Sequence, residues 1–221
     1  MTSTRVSRWG FVNAYLVQED DGITVVDTGI PGTASRIVAA AQRLGLSIVR
    51  IVLTHAHFDH VGSVDALVGE LRDVEVAITA RDARLLNGDK QPEPGEPQVA
   101  VKGRLPKLKT EVTGRIAVGD RVGSLEVVAA PGHTPGHIAL LDTRDRTLYC
   151  GDAYATLGGV DTSAKPSFPF PLPALATWHR PTALASAKAL RALDPTRLAP
   201  GHGKPLESPG EAMDRAIAKA S

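Results

Sequence analysis

The sequence predicts an α/β protein built around mixed β-sheets. Three observations carry that reading. Apolar runs of strand length recur along the 221 residues, helical periodicity falls between some of them, and two connections are short enough to join antiparallel neighbours. The runs are "NAYLV" (13–17), "ITVVD" (23–27), "VRIVL" (49–53), "VEVAI" (74–78), "LEVVAA" (125–130), "IALLD" (138–142) and "TLYCG" (147–151). They are rich in Val and Ile and bounded by Gly, Asp or Pro, as buried strands are.

The segment "ASRIVAAAQRLG" (34–45) has helical spacing, with Gly45 placed to cap its C-terminus. A second helix is expected over "TALASAKALRAL" (182–193), with Pro181 and Thr182 suited to its start. A third is expected over "HVGSVDALVGEL" (60–71). The short links "DDG" (20–22) and "TRDR" (143–146) suit hairpins, so the sheets should be mixed rather than purely parallel. Two Pro/Gly-rich segments, 87–107 and 158–173, interrupt the pattern. Residues 1–221 read as one domain, with these segments as lids or binding loops rather than linkers.

Composition narrows the function. Hydrophobic residues make up 43% and charged residues 22%, and 25 Lys+Arg against 24 Asp+Glu leave a net charge of +1. That balance predicts no nucleic-acid partner and no polybasic membrane anchor. The N-terminus shows no secretory signal, no segment is long and apolar enough to span a bilayer, and the single cysteine, Cys150, excludes an internal disulfide. A cytoplasmic protein is expected, and a homodimer is left open.

The chemistry sits in "LTHAHFDHVGS" (53–63). Of seven histidines in the chain, three lie with an aspartate between His55 and His60. On extended backbone His55 and His57 point the same way and can grip one metal ion. Asp59 and His60 fall at the start of the expected helix, where they can turn toward a second. Further ligand types follow other apolar runs: His133 in "VVAAPGHTPGH", Asp152 in "TLYCGDAY" and His202 in "RLAPGHGKP". Side chains at the ends of several strands can share a site on one rim of a sheet sandwich. Imidazole with carboxylate suits zinc, and iron or manganese also meet that donor set.

The ordered set "THAHFDH", "PGHTPGH", "GD" and "PGHG" resembles the metallo-β-lactamase superfamily, from "VVDTG" (25–29) to "PGHG" (200–203). The resemblance implies an αββα four-layer sandwich, two mixed β-sheets flanked by helices, with two zinc ions at one edge. It implies one ion held by His55, His57 and His133, a second by Asp59, His60 and His202, and Asp152 bridging them. Hydrolysis is the implied chemistry, with the ions activating water and Asp59 also serving as proton acceptor.

Other residues carry open alternatives. His137 is expected to orient a ligand or loop, and Asp27 to support the site or cap its strand. Tyr154 is either a substrate hydrogen-bond donor or core packing, and His179 either lines the pocket or sits elsewhere. Phe168 and Phe170, among prolines in "SFPFPLP", either wall an apolar acyl pocket, with Trp178 as a further wall, or anchor their loop. Within the resemblance, a secreted β-lactamase is disfavoured, because Asp152 and His60 stand where one major subclass has cysteine and arginine. A nuclease lacks its basic surface, and a flavodiiron enzyme its flavin domain. The branch resembling glyoxalase II, small thioesterases and lactonases remains, although only 18 residues follow Gly203, too few for a glutathione-binding helical region. A small ester, thioester or lactone is the expected substrate, and a mononuclear iron oxygenase resembling the persulfide dioxygenases is the alternative.

Overall fold

The computed structural model describes residues 3–71, 74–112 and 114–221. Its first sheet takes, in spatial order, β1 (Ser3–Arg8), β2 (Val12–Glu19), β3 (Gly22–Val26), β4 (Ile48–Val52), β5 (Glu75–Thr79) and β6 (Gly114–Ile116). The "DDG" link makes β2 and β3 an antiparallel hairpin, whereas β3 to β6 run parallel. Parallel neighbours need crossovers. These come from α1 (Ala34–Leu44), from α2 (Phe58–Val61) with α3 (Val64–Leu71), and from α4 (Ala80–Leu86).

The second sheet begins as an antiparallel meander of β7 (Arg121–Val122), β8 (Leu125–Ala129), β9 (Ile138–Asp142) and β10 (Thr147–Gly151). A small ribbon, β11 (Tyr154–Ala155) with β12 (Asp161–Thr162), precedes α5 (Leu172–Ala176) and α6 (Arg180–Ala192). The chain then adds β13 (Arg197–Pro200) parallel to β10, β14 (Leu206–Glu207) outside it, and α7 (Gly210–Ala220).

Period-2 alternation distributes the strands' side chains between layers. Leu16, Val25 and Ile51 face α1, α3 and α4, while Tyr15, Val26 and Val52 face the other sheet. There they meet Val127, Leu140 and Tyr149. Leu141, Leu148 and Cys150 point outward beneath α6 and α7. The layers are therefore helix, sheet, sheet, helix, as expected. Gly45 caps α1 in the left-handed region at φ 68°, its N–H reaching Ala41 O and Gln42 O.

Several strand ends shift by a residue or two from the sequence reading, and two helices depart from it. Helix 60–71 is broken: α2 stops at Val61 and α3 starts at Val64, with Gly62 packed where a Cβ would lie 2.8 Å from Pro31 Cδ and 2.5 Å from Phe58 O. Helix α6 starts at Arg180, because His179 and not Thr182 occupies its N-cap. Among the described residues, no helix is long and apolar enough to cross a membrane.

Candidate metal centre

The parallel strands set a common rim. β4 ends at Val52, β10 at Gly151 and β13 at Pro200, and the chain leaves each to place His55, Asp152 and His202 just beyond. Across the sheets, β2 ties down the last of these loops. Asn13 donates its side-chain amide to Pro200 O at 2.9 Å and Gly203 O at 2.7 Å, and Tyr15 donates to Pro200 O at 2.8 Å. The intervening Gly201 admits no side chain: a Cβ there would lie 2.4 Å from His60 Cε1 and 2.6 Å from Asp152 Oδ1.

Hydrogen bonds around the first group determine which ring nitrogens stay free. Thr54 Oγ1 donates to Asp27, so at 3.0 Å it accepts from His55 Nδ1–H and leaves His55 Nε2 bare. Thr177 Oγ1 donates to Pro173 O and accepts from His133 Nδ1–H, which leaves His133 Nε2 bare. His57 Nε2–H donates to Lys102 O, leaving Nδ1. His57 Nδ1 and His133 Nε2 then face each other at 2.8 Å, and His55 Nε2 is buried without a protein partner. Facing lone pairs repel unless a proton or metal ion lies between them. Burial, reinforced for His55 and His133 by neighbouring imidazoles, lowers the pKa of all three rings and so favours the ligand form.

A second group joins Asp59, His60, Asp152 and His202. In each group the donor atoms lie within 4.8 Å of one another. His60 Nδ1–H donates to Asp27 Oδ2 at 2.8 Å, aiming Nε2 inward. His60 Nε2 and Asp152 Oδ1 come within 3.1 Å, yet neither makes a well-directed hydrogen bond, so both point at shared space rather than at each other. Asp152 Oδ2 lies 3.3 Å from His202 Nε2 and 3.4 Å from His133 Nε2, between the groups. This donor chemistry and these orphaned buried atoms fit divalent ions. Residue for residue, the structure brings together all seven side chains singled out in the sequence.

Charge differs between the groups. Burial opposes protonation of His60, but Asp152 and Asp27 outweigh it and raise its pKa. For His202 the same contest, won chiefly by Asp152 with Asp59 assisting, ends at about 9. At neutral pH both rings hold protons that an incoming ion must displace. Adding zinc to metal-free protein in weak buffer at pH 7 should therefore release about two protons per chain from these rings, besides any given up by water on the bound ions. The His202 share should vanish above about pH 9, where that ring is already neutral. A pH-stat titration checks this, and no release at pH 7 would show that the two rings are not displaced by metal.

The supporting roles assigned from sequence divide. Asp27, at φ 58°, accepts from Thr54 N–H at 2.8 Å as well as from His60. His137 donates Nδ1–H to Ala130 O and accepts Asp152 N–H at Nε2, holding the Asp152 backbone; burial pushes its pKa down to about 4, so it stays neutral. Phe170 lines the cavity over the metal ligands. Phe168 does not: it is 93% exposed and borders a separate groove beside α7. Tyr154 is not a substrate donor either, because its hydroxyl donates to Ala187 O at 2.7 Å inside the outer core. Trp178 is buried and spends its indole N–H on Val99 O, and His179 caps α6. Neither Trp178 nor His179 lines the cavity, so of the alternatives left open for them the pocket-lining one does not hold.

Sequence reading missed Asp82. Its buried carboxylate accepts Ala56 N–H at 2.9 Å, between two ligands, and Thr134 Oγ1–H at 2.7 Å and Gly136 N–H at 2.7 Å, beside the third. The Thr79-x-x-Asp82 spacing was readable as a helix N-cap, and Thr79 Oγ1 does accept Asp82 N–H. Nothing local shows that the carboxylate turns away to clamp two loops. Lys102 was missed too, because it acts through its carbonyl; at the next residue, Gly103, a Cβ would stand 2.2 Å from His57 Nε2.

Comparison with known proteins agrees with this arrangement. Residues 7–202 match the model of the Metallo-beta-lactamase superfamily. The uncharacterized protein YobT of Bacillus subtilis (strain 168) is 44% identical over 210 residues, spanning 95% of this chain and 90% of that protein. The probable metallo-hydrolase YflN of the same organism is 31% identical over 215 residues, spanning 88% and 81%. A hydroxyacylglutathione hydrolase of Rhodospirillum rubrum is 32% identical over 128 residues, which span 58% of this chain and only 42% of that enzyme. The crystal structure of TTHA1623 in a di-iron-bound form superposes with a TM-score of 0.70 at 29% identity, covering 96% of this chain and 97% of that one. The family match over most of the chain, with the layered fold and the histidine–aspartate rim, places this protein in the metallo-β-lactamase superfamily.

Proposed function

We propose that this protein is a hydrolase that uses two divalent metal ions, zinc first and iron or manganese as alternatives, to cleave a small ester, thioester or lactone. The observation that carries the reading is the pair of donor groups meeting at Asp152 on the floor of a cavity of about 680 Å³. His55, His57 and His133 would hold one ion, Asp59, His60 and His202 the other, and Asp152 both. When bound, such ions lower the pKa of water and polarise a carbonyl.

The chain's own groups supply the rest. Asp59 borders the cavity, and although burial opposes ionisation, its hydrogen bond to His202 and the charge of His60 lower its pKa. It is therefore an ionised acceptor for a proton lost on the cavity side. Asp27, His137 and Lys102 O keep the ligand atoms aimed, which avoids reorganisation during turnover. The kinship with YflN and the hydroxyacylglutathione hydrolase supports hydrolysis, and the di-iron form of TTHA1623 supports a two-ion centre. A mononuclear iron oxygenase would use only one donor group and leave the other group's inward-facing donor atoms without an ion.

Elemental analysis of purified protein, followed by an ester, thioester and lactone panel, tests the reading. About two ions per chain with hydrolysis is expected. One iron per chain with oxygen consumption would replace it by the oxygenase, and two bound ions with no hydrolysis would overturn it. Asp59→Asn should lower kcat by about 10²–10⁴-fold, the usual contribution of a positioned acid–base group. It should leave one ion tightly held, because the first group does not include Asp59. Loss of both ions in that variant would show that Asp59 is needed for the whole centre and not chiefly for the proton.

A further inference from the structure

The metal ligands account for the cavity's floor but not for its walls. The aromatic and leucine side chains of these walls come from three places: Trp9 and Phe11 at the β1–β2 turn, Phe58 at the start of α2, and Phe170, Leu172 and Leu175 before and within α5. Among the described residues, and apart from those of the metal site, the one charged side chain lining the cavity is Arg104, whose guanidinium lies 3.9 Å over the Phe58 ring. The aromatics form a track. Phe170 packs 5.1 Å from the His202 ring, Phe11 meets Phe170 edge-on at 5.7 Å, and Trp9 follows Phe11 at 6.3 Å.

The outer end of the track is open to solvent, with Trp9, Leu172 and Leu175 at 70%, 60% and 54% exposure. Large side chains from two unrelated segments, exposed around one cavity mouth, add little to the core. An apolar wall with few polar groups is what an apolar ligand requires. A single cation gives little purchase to a polyanionic substrate.

We infer that this track seats a hydrophobic acyl chain, making the preferred substrates medium- to long-chain acyl esters, thioesters or acyl lactones. The bond broken rests on the hydrolase reading, whereas the seat for the chain does not. In the reaction water adds its oxygen to the acyl carbon as the acyl C–O or C–S bond breaks. The alcohol or thiol oxygen or sulfur takes one proton, leaving from an ester or thioester and staying on the opened chain of a lactone, and the carboxylic acid formed loses the other to solvent.

Calorimetric titration of decanoate and butyrate into metal-loaded protein tests the seat without turnover, because the two share a carboxylate and differ only in chain. Decanoate should bind at least about 100-fold tighter, since each fully buried methylene is worth roughly fourfold. Its binding should also show a negative heat-capacity change. The double variant Trp9→Ser, Leu175→Ser alters two exposed side chains and should keep its fold and metal content while cutting that preference to about tenfold or less. Equal binding of the two acids, or an unchanged preference in the double variant, would overturn the inference. Hydrolysis of acetyl and decanoyl thioesters at equal kcat/KM would also overturn it while leaving the hydrolase reading intact. Tight decanoate binding without hydrolysis of any ester, thioester or lactone would uphold the seat and remove the hydrolase reading.

Discussion

Replacing Asp152 with alanine is expected to empty both metal groups and to lower turnover by at least about 10³-fold, the scale of losing several kcal/mol of metal-derived stabilisation. Asp152 Oδ2 approaches both His133 and His202, and Oδ1 approaches His60, so one carboxylate serves three imidazoles in two groups. Burial would raise its pKa, but the His202 and His60 charges hold it well below the usual carboxylate range. Without it, two dications would face each other with no shared anion. His60 and His202 would also lose the partner that chiefly raises their pKa. Metal analysis after dialysis, with kcat on the same sample, checks the prediction. Retention of both ions at wild-type affinity would mean that Asp152 does not join the groups.

Asp82→Ala should cost about 2–3 kcal/mol of stability, because two buried donors and the half-buried Gly136 N–H lose their acceptor at about 1 kcal/mol each. It should also weaken the first metal group selectively. Ala56 lies between His55 and His57, and Thr134 follows His133, so the carboxylate fixes the distance between the loops that carry those ligands. Burial raises the Asp82 pKa despite its three hydrogen bonds, which marks a costly position for a purely structural acid. Asp82→Asn should fall between: its oxygen can serve Ala56 and Thr134, but its NH₂ would then confront Gly136 N–H. Urea denaturation gives the stability change, and metal competition titration gives the two affinities. A destabilised Asp82→Asn protein that binds both ions as tightly as wild type would reduce Asp82 to a fold residue.

Much of the architecture was legible because buried strands advertise themselves. "IALLD" and "TLYCG" coincide with β9 and β10, and the short links join antiparallel strands as expected. The strands that escaped are those without a continuous apolar run. β1, "STRVSR", lies at a sheet edge with only Ser3 and Val6 buried, and β13 is four residues long. Missing β1 hid the turn that presents Trp9 and Phe11, and so hid half of the cavity's aromatic wall.

The metal-site side chains were legible for a related reason. Metal ligation demands particular residue types, and the spacing His55-x-His57-x-Asp59-His60 places four of them on one turn of chain. The fates of Phe168 and Phe170 were not legible. The two residues are separated by one proline, and the local chain does not say which ring meets His202 and which meets water. Tyr154 was equally ambiguous until the Ala187 carbonyl, 33 residues away, supplied its partner. By itself, then, the sequence pointed to α/β layers and to the candidate ligand residues, because hydrophobic period and donor chemistry are local properties, and its family resemblance supplied the αββα arrangement. The tertiary structure alone decided which ring nitrogens face inward, which carboxylate clamps the loops and which aromatics line the cavity. Each of those depends on a hydrogen-bond or packing partner brought from elsewhere in the chain.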